Sequence, residues 1–245
     1  MKADGHYEDS FKISIANYTI EIDSSFRFSK ELFLDFMSDK DADFHVTLDM
    51  NDLNTTQVVY QNKLPVGITG TIEPTQIHRK VTEALIDHDC ILIHGAAIAL
   101  DKKGYLFSAS SGTGKSTHIR KWLENCDNVS VVCDDKPFIR LDDIPLLCGA
   151  PWAGKEGMTS NTIVPLKSIV FLERSDFNSI SKISFSEAFM ALYKQTYRPN
   201  DAVKMKKVLG LIKELDGKVD FYRFKVNNFK EDCFEVAYNA LIDQG

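Results

Sequence analysis

The chain has 245 residues, 44% of them hydrophobic and 26% charged, with a mean hydropathy of -0.19. Those values describe an ordinary folded protein and exclude a disordered, collagen-like or repeat-rich one. A net charge of -6, from 35 acidic and 29 basic residues, argues against generic binding to nucleic acid or anionic membranes.

The first third reads as strands plus one helix. Phe11, Ile13 and Ile15 alternate with polar neighbours, as do Tyr18, Ile20 and Ile22, so a hairpin is expected around Ala16-Asn17. Phe44, Val46, Leu48 and Met50 repeat the period of two. Pro74 is placed to start a helix, with Ile77, Val81, Ala84, Leu85 and His88 at helical spacing behind it.

The middle third changes character. Cys90 to Leu100 is a continuous apolar run, predicting one strand buried on both faces. A turn at Asp101 to Gly104 leads to a strand over Tyr105 to Ala109. A helix is expected from Lys115, with a buried stripe of Ile119, Trp122 and Leu123. Val129 to Cys133 is a short strand that stops at Asp134-Asp135.

In the last third, Ser168 to Leu172 predicts a buried strand, and Ser184 with Glu187 has capping-box spacing ahead of a helix through Met190 and Tyr193. Asp201 is a candidate cap for a helix carrying Val203, Val208, Leu211 and Ile212. A strand over Val219 to Val226 and a helix over Phe229 to Ile242 close the chain. The lysines of the 204–213 segment read as a solvated face. Two domains of one α/β protein are expected: 1–89, a β-rich lobe with one helix, and 90–245, a core with the C-terminal helices.

Cys90, Cys126, Cys133, Cys148 and Cys233 are odd in number and show no C-x-x-C spacing, so neither a disulfide framework nor a zinc knuckle is expected. The polar N-terminus is no signal peptide, and the longest apolar run is too short to cross a bilayer. A cytoplasmic protein without membrane or nucleic-acid partners follows.

The chemistry concentrates at Ala109-Ser110-Ser111-Gly112-Thr113-Gly114-Lys115-Ser116, a Walker A pattern with alanine for the first glycine. Gly112 and Gly114 let the backbone curl so that successive N–H groups face one anion, and the helix that follows adds its positive end. Ser110, Ser111, Gly112, Thr113, Gly114, Lys115, Ser116 and Thr117 are therefore candidates to hold ATP. Lys115 would reach the β- and γ-phosphates, and the Ser116 hydroxyl would ligate Mg²⁺. Asp134 and Asp135 end the next strand: one would bind the metal, the other would take the proton of an attacking hydroxyl. Neighbouring strand residues point to opposite faces, so both serve one site only if the chain bends there. Lys136-Pro137 offers such a bend. Lys155, in Gly154-Lys155-Glu156-Gly157, is a candidate cation for the transferring phosphoryl group. Trp152 reads as packing beneath that loop, and Arg198 as a candidate to reach the nucleotide.

His94-Gly95, the hairpin, the phosphate loop and Val-Val-Cys-Asp134-Asp135, in that order, resemble the catalytic domain of bacterial HPr kinase/phosphorylase, which shares its core with the phosphoenolpyruvate carboxykinases. Gly149-Ala-Pro-Trp-Ala-Gly-Lys155 and Val164 to Arg174 resemble small HPr-kinase-like proteins. The resemblance covers about Cys90 to Arg174. It implies a single P-loop domain of that type with a mixed sheet, His94 beside the phosphoryl site, and Asp134 and Asp135 binding the metal and activating the acceptor; Asp134 is assigned to the metal and Asp135 to the acceptor, and the two roles could be exchanged. It implies a kinase acting on a hydroxyl of a protein, peptide or small molecule, serine above all, and a homo-oligomer. The Arg-Gly-Leu-Gly type signature of HPr kinases is absent, and Pro151 to Lys155 stands in its place. Two other readings compete: a phosphoenolpyruvate carboxykinase-like enzyme acting on a small carboxylic acid, and a non-catalytic ATP-binding regulatory module.

Overall fold

Residues 9–24, 31–48 and 69–242 are described in the computed structural model of the chain. They form an α/β structure with mixed sheets and a strand-rich N-terminal part. The chain divides into two units, Met1–His88 and Asp89–Gly245.

In the first unit, β1 (Asp9–Ile15) and β2 (Tyr18–Ser24) pair as an antiparallel hairpin closed by Ala16 and Asn17. Both turn residues have positive φ, 54° and 65°, the twist that a two-residue hairpin needs. Phe11, Ile13, Ile15, Ile20 and Ile22 are buried, as the alternation requires. β3 (Phe44–Val46) adds to β2 in parallel and is shorter than the pattern suggested, while Met50 lies outside the described residues. α1 (Thr69–Asp87) buries Ile77, Val81 and Leu85. Its start corrects the sequence reading: Pro74 sits inside the helix, five residues past Thr69. A proline costs the bond to the carbonyl four residues back, a loss best borne near a helix N-terminus.

The second unit is built on one large sheet. Its strands are β4 (Cys90–Leu92), β5 (Ala96–Leu100), β6 (Lys103–Ser108), β7 (Val129–Cys133), β8 (Phe138–Arg140), β9 (Leu146–Cys148), β10 (Ile163–Arg174), β11 (Ser179–Ile183) and β12 (Asp220–Val226). The order is β4-β8-β9-β10-β6-β5-β7, with β12 paired to β10 and β11 to β12. The helices are α2 (Lys115–Asn125), α3 (Phe185–Gln195), α4 (Ala202–Lys213) and α5 (Cys233–Leu241). The Ser184–Glu187 capping box and the Asp201 cap are both formed, the latter through Lys204 N–H at 2.8 Å. All five cysteines are free. Among the described residues no helix is long and apolar enough to cross a membrane.

Strand direction decides where function can sit. β10 is parallel to β6 and to β12. β5 is antiparallel to both β6 and β7, so β7 runs with β6. The carboxyl ends of β6, β7, β10 and β12 and the amino end of β5 therefore meet along one edge. In sheets of this kind ligands bind outside that edge.

The apolar run Cys90 to Leu100 is two strands, not the single one expected. It breaks at Ile93-His94-Gly95, and β4 and β5 take places at different ends of the strand order. Gly95 permits the break: a Cβ there would lie 2.7 Å from Leu106 Cδ1 and 3.0 Å from the Phe107 carbonyl oxygen. Three short strands, β8, β9 and β11, had no counterpart in the sequence reading, and β10 is longer than Ser168 to Leu172. The α2 stripe is also corrected. Ile119 and Trp122 are fully buried, but Leu123 is 38% exposed and His118 is buried instead. Around Trp122, the face of β5, β6, β10 and β12 packs against α2 and α5 to form the core behind the site.

Candidate functional site

β6 delivers the chain into a loop, residues 109–114, that ends at the N-terminus of α2. Gly112 and Gly114 have φ of 79° and 106°, values that side-chain-bearing residues rarely adopt, so these two glycines are required by the curl itself. Ser110, Ser111 and Gly112 are exposed, and the loop is open to solvent. The Thr113 N–H turns inward to the Ser110 carbonyl at 3.3 Å. The first intrahelical bond runs from His118 N–H to the Gly114 carbonyl, so the amides of Lys115, Ser116 and Thr117 have no helical acceptor. Those amides, not Thr113's, are the donors that α2 presents.

Lys115 folds back under the loop. Its Nζ donates to the Ala109 carbonyl at 2.9 Å and to that of Ser110 at 3.5 Å, and the residue is only 8% exposed. Burial lowers its pKa, while the charge of Asp135 opposes the shift. A desolvated ammonium bonded only to carbonyls is poised for an anion. Ser116, the next residue, is half-buried.

β7 ends at Cys133, and the chain bends at once, as the paired acids require if they are to serve one site. The Asp134 N–H bonds to the Met158 carbonyl, the Lys136 N–H to Cys133 Sγ, and the Asp135 carbonyl accepts from Gly95 N–H at 2.9 Å. The two carboxylates then part. Asp134 is buried; its Oδ1 accepts from the Gly154 N–H at 2.6 Å, while Oδ2 is buried without a hydrogen-bond partner. An orphaned carboxylate oxygen is costly and fits a cation better than any neighbour present. Among the described residues no cluster of three or more His, Cys, Asp or Glu could hold a metal. A magnesium ion here would take Asp134 and the Ser116 hydroxyl and complete its shell from phosphate oxygens and water, the usual habit of that ion.

Asp135 is engaged on both oxygens, by His94 Nε2 at 3.2 Å and by Lys136 Nζ at 2.9 Å. The hydrogen bond from His94 is the main cause holding its carboxyl well below the ordinary range, with Lys136 assisting against the burial penalty. His94 itself is presented by the break between β4 and β5. Its backbone N–H bonds to the Gln195 carbonyl, its own carbonyl accepts from the Ser108 hydroxyl, and its Nδ1 meets Gln195 Oε1 at 2.9 Å.

Lys155 is exposed on a loop held on either side. Gly154 is bonded to Asp134, and Glu156 pairs with Arg120 of α2. It therefore lies on the segment that borders both Asp134 and the phosphate-loop helix. Trp152 packs edge-on to Phe138. Arg198 caps the end of α3 through the Tyr193 and Lys194 carbonyls.

Two supports of the loop were not legible in the sequence. Arg174, at the end of β10, donates to the Gly112 carbonyl. Asn228, just beyond β12, donates to the Gly114 carbonyl at 3.1 Å. Behind Asn228 runs a buried chain of bonds. Trp122 Nε1–H donates to His118 Nε2 at 3.0 Å, His118 Nδ1 faces Cys233 Sγ at 3.5 Å, and Cys233 reaches Asn228 Oδ1 at 3.3 Å. Burial lowers the His118 pKa to about 3, so the ring is neutral, with Nε2 accepting and Nδ1 donating.

No curated protein matches the chain. Among solved structures, the HPr(Ser) kinase/phosphatase from Coxiella burnetii aligns with a TM-score of 0.39 at 11% identity, covering 62% of this chain and 91% of that one. A likeness so distant carries no argument about activity. The family model described as SynChlorMet cassette protein ScmC matches residues 71–207, more than half of the chain and every site residue named above except Asn228 and Cys233 on the β12–α5 side. The chain belongs to the ScmC family.

Proposed function

We propose that this protein is an ATP- and Mg²⁺-dependent phosphotransferase that moves the γ-phosphoryl group to a hydroxyl, serine of a protein or peptide being the acceptor the residues fit best. The observation that carries the reading is the buried Lys115 ammonium, held by carbonyls at the mouth of a two-glycine loop, on the same sheet edge as Asp134 and Asp135. A scaffold that merely bound an anion would have no use for two acids bent to opposite partners beside it.

The amides of Lys115, Ser116 and Thr117 and the α2 N-terminus would hold the phosphates. Lys115 and Lys155 would neutralise charge on the transferring group. Magnesium, on Asp134 and Ser116, would supply charge neutralisation across the phosphates. Asp135 stays ionised because His94 and Lys136 stabilise its charge, which suits it to accept a hydrogen bond from the acceptor hydroxyl and orient the oxygen. The oxygen–phosphorus bond forms as the bond to the leaving diphosphate breaks, and the hydroxyl proton passes to the carboxylate late. In phosphoryl transfer, positioning counts for more than base strength.

The direct test is transfer from γ-labelled ATP to serine, serine peptides and HPr. Lys115→Ala should abolish turnover, and turnover that survives it would remove the loop from the mechanism.

A further inference from the structure

We propose that Phe229 and Phe177, beyond the carboxyl ends of β12 and β10, form the surface on which the base of the nucleoside triphosphate stacks. The inference rests on the phosphotransfer reading and extends it to a side of the sheet edge which that reading leaves unused.

The argument begins with strand order. Across the edge the strands run β7-β5-β6-β10-β12. The acids follow β7 and His94 precedes β5, so the reacting end of a triphosphate in the β6 loop points toward β5 and β7. The nucleoside must leave the other way, over β10 and β12. Two strand spacings, roughly 10 Å, separate β6 from β12.

That side carries two exposed aromatic rings. Phe229 is 98% exposed and Phe177 is 52% exposed. Their loops are built rather than loose. Asn227 N–H donates to Asn178 Oδ1 at 2.6 Å, Asn178 Nδ2 to Asp232 Oδ1 at 2.6 Å, Asn227 Nδ2 to the Asp176 carbonyl at 3.4 Å, and Phe229 N–H to Asn227 Oδ1 at 3.1 Å. Both loops are tied to the phosphate loop, through Arg174 on the Gly112 carbonyl and Asn228 on the Gly114 carbonyl. The Lys225 ammonium lies 5.7 Å from the Phe177 ring centroid.

Rigid apolar rings beside an anion loop suit a ligand that is ionic at one end and flat and aromatic at the other. Aromatic stacking reads the face of a base and not its edges. The surface therefore takes ATP and GTP with similar affinity and favours both over a phosphate chain with no base.

Titration calorimetry with ATP, GTP and tripolyphosphate, each with Mg²⁺, tests this on the full chain. Phe229 is outside the core, so Phe229→Ala leaves the fold intact. By the usual strength of base stacking, it should weaken ATP and GTP by about 5- to 150-fold, with tripolyphosphate changed by less than about twofold, and Phe229→Trp should restore binding. Equal wild-type affinity for ATP and tripolyphosphate would overturn the inference while leaving the phosphate site standing. So would Phe229→Ala with Phe177→Ala leaving the ATP-to-tripolyphosphate ratio unmoved. A wild type that binds none of the three ligands overturns the phosphotransfer reading and this inference with it.

Discussion

His118 makes the structure of the second unit depend on pH. The ring is fully buried beneath the phosphate loop, accepts from Trp122 Nε1 at 3.0 Å, and has its pKa lowered from 6.5 to about 3 by desolvation. The folded state resists the proton that the unfolded chain accepts below pH 6.5. The stabilisation is thus fully present above that value and is lost as pH falls toward 3. Between pH 6.5 and 5.0 the loss from this one group is about 2 kcal/mol, and over the whole window about 5 kcal/mol. That is a large share of a typical folding free energy of about 5–15 kcal/mol. Urea unfolding at half-unit steps from pH 8 to 5 would measure it, with His118→Gln as the reference. Gln can still accept from Trp122 but cannot take a proton. The wild type should lose on the order of 1 kcal/mol per pH unit more than the variant below pH 6. Parallel curves for the two proteins would refute the neutral, buried ring.

Other expectations follow from the same geometry. Gly149→Ala should prevent stable folding, because its Cβ would lie 1.8 Å from the Ser160 carbonyl oxygen and 2.8 Å from that of Val132, both backbone atoms. Circular dichroism and the soluble yield would report it, and a native-like melting curve would contradict the packing. Asp135→Asn should cut phosphoryl transfer by about 100-fold or more while ATP affinity, read by calorimetry, moves by only a few-fold. A large loss of ATP affinity with turnover preserved at saturation would instead place Asp135 on the nucleotide.

Much of the local structure was legible along the chain. Alternation marked the β1–β2 hairpin, the capping box marked α3, and a glycine-rich turn between an apolar strand and an amphipathic segment located α2 from its first residue. These features depend on neighbours a few residues apart, which is what periodicity and caps record. The short strands β8, β9 and β11 were not legible, since segments of three to five residues take their identity from the strand they pair with. The same holds for the break at His94. Cys90 to Leu100 looks like one strand until Gly95 is seen pressed against Leu106 and Phe107.

By itself, the sequence determined the chemical types at the site: two glycines that can curl, a lysine at the head of a helix, two adjacent acids after a strand, and a histidine before a glycine. Only the tertiary structure decided how they are used. It brought Asp134 to Gly154 and Asp135 to His94, and gave the loop its outer supports in Arg174 and Asn228. The reason is physical. Propensity and spacing act over one turn or one pleat, whereas these partners lie tens of residues apart and meet only because four strands end along the same edge of one sheet.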